Sequence, residues 1–275
     1  MKKRLYFILS GENLFHPYYF KQTYDNLDKN KFEVIGVSIP EERYRNGFLN
    51  FLKYQVNLWG IKGFLFIAFM SNIYKTLDIL KLKSTLSIKT IATIHNIPVI
   101  KVENVNGVKH LNYLKTLNID VIISSNGQIF KEQLLNLPKI ACVNRHTALL
   151  PEYGGCMPVF WAMYNKEQEF GVSLHYMVEE IDKGDILYQE PIPLNNKNSM
   201  FCNYIIAFDK SVNVTIKSLD NLLKHKIVAK FYPNNKQYFS NPETEDIQKF
   251  KEENKPFNIS DIKHYFKVYH SLFNK

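Results

Sequence analysis

Short apolar runs recur along this chain, separated by stretches of helical periodicity. Runs of this kind read as strands at 4–9 (RLYFIL), 32–39, 98–102, 120–125 and 139–144, and again at 172–177 and 185–194. Between the early runs, 18–27 has a helical pattern, and 47–95 holds two or three helices broken at Gly60 and Gly63. The segment 108–117 (VKHLNYLKTL) places leucines on one helical face. Further on, 157–165 and 199–226 read as helices, and NPETED is a helix start with Asn241 or Thr244 as the cap. The alternation predicts an α/β fold: a Rossmann-like, mostly parallel sheet with helices on both faces. The reading divides the chain into a domain over 1–198 and a C-terminal helix with a small α/β extension over 199–275.

Composition narrows the class. At 275 residues and 45% hydrophobic, the chain can bury a sizeable core. Its net charge of +9 admits anionic partners, but the lysines are scattered with no block of like charge. Cys142, Cys156 and Cys202 form no CxxC pair, and no His/Cys set has metal spacing, so no metal is expected. The apolar N-terminal run, Leu5 to Leu9, is too short for a signal peptide. The window GFLFIAFM at 63–70 falls short of the roughly 20 residues that span a bilayer. The expectation is a cytoplasmic chain with no membrane span.

The chemistry concentrates at VNRHTALLPEYGG, 143–155. Side chains at i and i+2 of a strand share a face, so Asn144 and His146 project together while Arg145 points away. They stand at a strand's carboxyl end, where open α/β sheets bind ligands. A later strand delivers His175, and Asp182 follows in the turn EEIDKGD. Asparagine, histidine and aspartate without a serine or cysteine nucleophile suit direct attack of an amine on a carbonyl. An amide and an imidazolium can stabilise the oxyanion. The carboxylate can take the amine's proton and stabilise the imidazolium.

Taken together, N-x-H-x-x-LLP-x-Y-x-G (Asn144, His146, Leu149, Leu150, Pro151, Tyr153, Gly155), G-V-x-x-H (Gly171, Val172, His175) and I-D-x-G-D-I (181–186) resemble the folate-dependent formyltransferases. That family includes glycinamide ribonucleotide, methionyl-tRNA and sugar-nucleotide N-formyltransferases. The interval of 38 residues from Asn144 to Asp182 matches as well, and the close likeness runs over about 120–190. The resemblance implies Asn144, His146 and Asp182 as the catalytic trio and 10-formyltetrahydrofolate as formyl donor. It implies a folate pocket from Gln128, Ile129 and Phe130 at one strand end and Met177, Val178 and Glu179 before Asp182, with His175 beside them. Asn104 and Asn106 of the NVNG turn, Arg145 and Tyr153 are its substrate-side candidates. Two departures stand out: Gly154 where many members have arginine, and Arg145 where they have an aliphatic residue, for which a structural or substrate-phosphate role is expected.

The resemblance leaves the amine open. Gly11 is the one glycine of the first strand-to-helix turn, SGEN, which lacks the glycine-rich phosphate loop of the ribonucleotide enzymes. About 50 residues follow Ile227, too few for the tRNA-gripping barrel, so no nucleic-acid partner is expected. The tail resembles sugar-modifying relatives, which favours a nucleotide-linked amino sugar destined for polysaccharide and a homodimer through the extension. Water in place of the amine would make the same trio a formyl hydrolase. A folate- or nucleotide-binding sensor domain is the non-enzymatic alternative. His16 is expected to be a loop residue, and FYPNNKQYF at 231–239 a hairpin edge, with stacking of its aromatics on a nucleotide base as the alternative.

Overall fold

The structure, a computed structural model, describes residues 1–41, 47–80, 86–195, 197–230 and 238–273. Its strands are β1 (Lys3–Leu9), β2 (Phe32–Pro40), β3 (Val99–Val102), β4 (Val121–Ser125), β5 (Ala141–His146), β6 (Gly154–Gly155), β7 (Glu169–Tyr176), β8 (Ile186–Pro193) and β9 (Tyr238–Phe239). Its helices are α1 (His16–Asn26), α2 (Phe48–Ile79), α3 (Ile88–Ile94), α4 (Val108–Thr116), α5 (Glu132–Leu135), α6 (Pro158–Tyr164), α7 (Met200–Leu223), α8 (Thr244–Glu253) and α9 (Ser260–Val268). Seven strands form one sheet in the order β3-β2-β1-β4-β5-β7-β8. The first five run parallel; β7 pairs antiparallel with β5 and with β8.

The sheet is buried on both faces. On β1, Leu5, Phe7 and Leu9 enter one core, and Tyr6 and Ile8 enter the other. A strand covered on both sides reads as a continuous apolar run rather than an alternation, which is the pattern of RLYFIL. The larger core lies under α1 and α7; the smaller packs Leu111 and Leu114 of α4 and Leu134 of α5 against Ile122 and Cys142. Helix α7 packs on α1, β7 and β8, and α9 packs on α7. The C-terminal segment thus covers the sheet.

Three local expectations change. Gly60 breaks α2, with φ 70° and ψ 165°, a conformation open to glycine. Gly63 stays helical; a Cβ there would lie 2.8 Å from the Phe257 Cβ, so it is a close-packing glycine. Helix α8 is capped by Glu243, whose carboxylate and that of Asp246 form a reciprocal capping box. The sequence window ending at Met70 understates α2. Phe48–Leu77 is long and apolar enough to cross a membrane by length and composition, with 22% of its apolar window buried. Of the hairpin expected at 231–239, residues 231–237 lie outside the described residues. Tyr238 and Phe239 pair in parallel with Gly154 and Gly155.

Candidate active site

Strand register assembles the site. Ser124 pairs with Asn144 across β4 and β5, and Asn144 pairs with His175 across β5 and β7. Cross-strand partners share a face, so these three side chains form a row. His146 is two residues beyond Asn144 on the same face. The turn after β5 is fastened by Ser173, whose hydroxyl donates to the Ala148 carbonyl and accepts from the Leu150 N–H. Within that turn the Leu150–Pro151 bond is cis. Tyr153 then takes a left-handed φ of 58°, and its carbonyl accepts a hydrogen bond from His146 Nε2 at 2.8 Å.

Asp182 closes the constellation. Its Oδ2 lies 3.7 Å from His146 Nδ1 and its Oδ1 lies 3.5 Å from His175 Nε2. The Gly155 N–H donates to Oδ2 at 2.8 Å. The residue has φ 54°, a left-handed conformation that aspartate tolerates better than most side chains. The glycines around it are close-approach positions. A Cβ on Gly184 would overlap the Tyr176 carbonyl, and one on Gly155 would overlap the Phe239 carbonyl. A Cβ on Gly171 would crowd Leu149, which ties the G-V-x-x-H segment to the LLP turn.

The hydrogen bonds constrain the protons. A carbonyl can only accept, so His146 carries its proton at Nε2 toward Tyr153, and His175 carries one at Nδ1 toward the Tyr176 carbonyl, 2.7 Å away. Each ring's second nitrogen faces Asp182. A second proton on either ring would therefore meet a carboxylate. Burial alone would raise the Asp182 pKa, but the two imidazoles and the Gly155 N–H outweigh it and hold the carboxyl well below its usual range.

That depression has a stability consequence of fixed sign. The folded pKa lies below the unfolded value of roughly 3.9, so the ionised carboxylate's contribution is complete above that value and is lost as pH falls below it. In urea denaturation across a pH series, the wild type should lose more stability below about pH 4 than Asp182→Asn does. Parallel losses would show that the carboxylate is not held ionised by its neighbours.

A cavity of about 850 Å³ opens on this row, a size suited to a small-molecule ligand. Asn144, His146, His175 and Asp182 line it. So do Gln128, Ile129 and Phe130 after β4, and Met177, Val178 and Glu179 after β7. The Gln128 side chain is engaged elsewhere: its Oε1 accepts from the Val105 N–H at 3.0 Å and its Nε2 donates to the Glu103 carbonyl at 3.0 Å. The loop therefore offers a ligand its backbone and the Ile129 and Phe130 side chains. Among the described residues, no group of three or more His, Cys, Asp and Glu side chains is disposed to hold a metal ion.

The four substrate-side candidates lie outside the cavity lining, each for a local reason. The Asn106 amide donates to the Ile129 carbonyl and its oxygen accepts from the Lys131 N–H; Asn104 accepts from the Asn106 N–H. The NVNG turn braces the 128–131 loop. Tyr153 is buried, stacks on Phe239 at 5.1 Å and gives its hydroxyl to Glu167; it positions His146. Arg145 points to the opposite face, as strand alternation requires. It is buried under α7, 4.0 Å over the Phe208 ring, and donates to the hydroxyls of Ser125 and Ser211.

Arg145 belongs to a buried chain that also corrects His16, which heads α1 instead of lying in a loop. The Arg145 Nε–H reaches Ser125 Oγ, Ser125 Oγ meets His16 Nε2 at 2.9 Å, and His16 Nδ1 meets Glu12 Oε1 at 2.5 Å. The Glu12 carboxylate also accepts from the N–H groups of Leu14, Phe15 and His16. Burial disfavours its charge, but His16 and these N–H groups prevail and lower its pKa. The positive end of α1, where a phosphate would otherwise seat, is filled by the chain's own anion.

Other cavity residues lie outside the sequence expectations: Asn50, Phe51 and Tyr54 from α2, then Cys156 and Asn241; Tyr238, of the run whose aromatics could stack on a base, lines the cavity too. A signal for the last group existed. The Gly154–Gly155 pair admits a second backbone against it, and β9 brings Tyr238 there. No periodicity marked the α2 residues.

Comparison with known proteins agrees with this architecture. Residues 93–201 match the formyl transferase family profile. A bifunctional polymyxin resistance protein ArnA of Wigglesworthia glossinidia brevipalpis is 38% identical over 120 residues, covering 43% of this chain and 18% of that protein. A methionyl-tRNA formyltransferase of Clostridium acetobutylicum is 30% identical over 118 residues, 42% of this chain and 38% of that protein. The chain thus spans less than half the length of these curated relatives. Its fold is like that of a sugar N-formyltransferase from Shewanella sp FDAARGOS_354, with TM-score 0.55 and 18% identity over 86% of this chain and 77% of that one.

Proposed function

We propose that this chain, whose residues 93–201 match the formyl transferase family, moves a formyl group from 10-formyltetrahydrofolate to the amine of a nucleotide-linked amino sugar. The observation that carries the reading is the convergence of Asn144, His146 and Asp182 on one cavity, next to a slot lined by Gln128–Phe130 and Met177–Glu179. The pterin takes that slot, and the formyl carbon faces the trio.

The amine attacks the formyl carbon and the carbonyl oxygen becomes an oxyanion. The Asn144 amide and a proton on His146 Nδ1 stabilise it. Asp182, ionised before the reaction, stabilises the imidazolium and accepts the proton that the amine nitrogen sheds, directly or through water. A carboxylate held far below its usual range is a weak base. It grows more basic when His146 shares its proton with the oxyanion, because the neighbouring positive charge that held it down is then reduced. Collapse of the intermediate breaks the bond to folate N10, which takes up a proton, and leaves a formamide.

The choice of amine draws support from the α1 terminus. Glu12 occupies the helix end that a ribonucleotide phosphate would need, which disfavours that substrate. Phe51, Tyr54 and Tyr238 give the cavity aromatic surface for a nucleotide base. The fold likeness to a sugar N-formyltransferase is compatible with this amine. The match to a methionyl-tRNA formyltransferase keeps an aminoacyl-tRNA amine as the second reading.

A panel of amino-sugar nucleotides, methionyl-tRNA and an amine-free control, each with 10-formyltetrahydrofolate, tests this by mass spectrometry. A formylated sugar nucleotide is the expected product. Formyl-methionyl-tRNA alone would transfer the role to the second reading. Formate in the amine-free control, with no formylated amine, would make the enzyme a hydrolase.

A further inference from the structure

Helix α2 presents two unlike faces. Its inner face is held to the core by Phe66, whose ring lies 5.4 Å from that of Phe257, and by Tyr74, whose hydroxyl meets that of Tyr265 at 3.0 Å. On its outer side, Leu49, Ile61, Leu65 and Phe69 are 73, 69, 59 and 62% exposed. Ile61, Leu65 and Phe69 recur every four residues and form one stripe. An apolar groove beside Gly60 continues the face, with Lys53 and Lys251 in its lining. Over its length α2 carries Lys53, Lys62 and Lys75, all exposed, against one acidic residue, Asp78, next to its last position.

We propose that the outer face of α2 docks on an anionic bilayer surface, lying in the plane of the interface. The apolar stripe enters the boundary between headgroups and acyl chains, and the lysines meet lipid phosphates. Spanning is disfavoured because the inner face is committed to the protein core. A second copy of the chain fits less well. A two-fold contact would bring together two copies of a net basic helix, with Asp78 at its far end as the one acidic residue of α2 to answer three lysines. Anionic lipid answers them directly. The first turns of α2 also line the catalytic cavity through Asn50, Phe51 and Tyr54, so docking brings that cavity to the bilayer.

Flotation of the full chain with vesicles tests the proposal without any turnover, so its outcome is independent of the formyl-transfer reading. The protein should float with phosphatidylcholine vesicles containing phosphatidylglycerol, barely float with pure phosphatidylcholine, and be released at high salt. Leu65→Ser with Phe69→Ser should weaken partition at least about tenfold, and Lys62→Glu with Lys75→Glu should weaken binding to anionic vesicles without disturbing the buried face. Circular dichroism and thermal unfolding check that each variant folds. Failure of the wild type to float, or flotation indifferent to both variants, overturns the proposal. So does light scattering that shows a dimer dissolved by the apolar variant in a protein that binds no vesicle.

Discussion

Replacing His146 by alanine is expected to lower kcat/KM by roughly 10²–10³-fold, the scale of losing one donor to a tetrahedral oxyanion. The loss should fall mainly on kcat, because the contact strengthens only as charge develops on the formyl oxygen. Affinity for a non-reacting folate analogue should change little. The slot that would hold the pterin is built from Gln128–Phe130 and Met177–Glu179, and none of these depends on His146 for a hydrogen bond. The substitution has a structural cost to control for. It strips the Tyr153 carbonyl of its donor, and a polar group left unsatisfied in a buried site costs about 1–3 kcal/mol. It also removes a charge partner of Asp182, so that carboxyl should move back toward its ordinary range. Steady-state kinetics beside analogue titration and thermal unfolding separates these effects. Unchanged kinetics in a folded variant would remove His146 from the reaction.

The legible part of this site followed from short-range rules. Strand alternation put Asn144 and His146 on one face and Arg145 on the other, and the register of β4, β5 and β7 agrees. Continuous apolar runs marked strands buried on both sides. What could not be read was long-range. Arg145 reaches Ser211, 66 residues away, and that contact decides its structural role. Asn106 sits near the 128–131 loop in space, but its side chain is spent holding Ile129 and Lys131, and Asn104 holds the Asn106 N–H. Gly60 and Gly63 look alike in sequence; one supplies a left-handed break and the other lets the α8–α9 connection pack close on α2, and that difference lies in Phe257, nearly two hundred residues on. The α2 contribution to the cavity had no local signature, because a helix mostly apolar all round does not announce which side faces a ligand.

Asp182→Asn is expected to cost at least about a hundredfold in kcat, the scale of losing a general base. The change is close to isosteric. Asparagine tolerates the left-handed φ that position 182 requires, and its carbonyl oxygen can still accept from the Gly155 N–H. The fold and the cavity should therefore survive, and folate-analogue affinity should remain near wild type. What disappears is the charge that faces both imidazoles and, with it, the proposed acceptor of the amine's proton. Near-normal turnover would discard that role. The double variant with His146→Ala is the more discriminating measurement. If Asp182 works partly by stabilising the proton that His146 donates, the two losses share one origin, and the double variant should be little worse than the poorer single one. Losses that multiply would instead mean that the carboxylate and the imidazole act separately, Asp182 on the amine and His146 on the oxygen, with the 3.7 Å between them carrying no coupling.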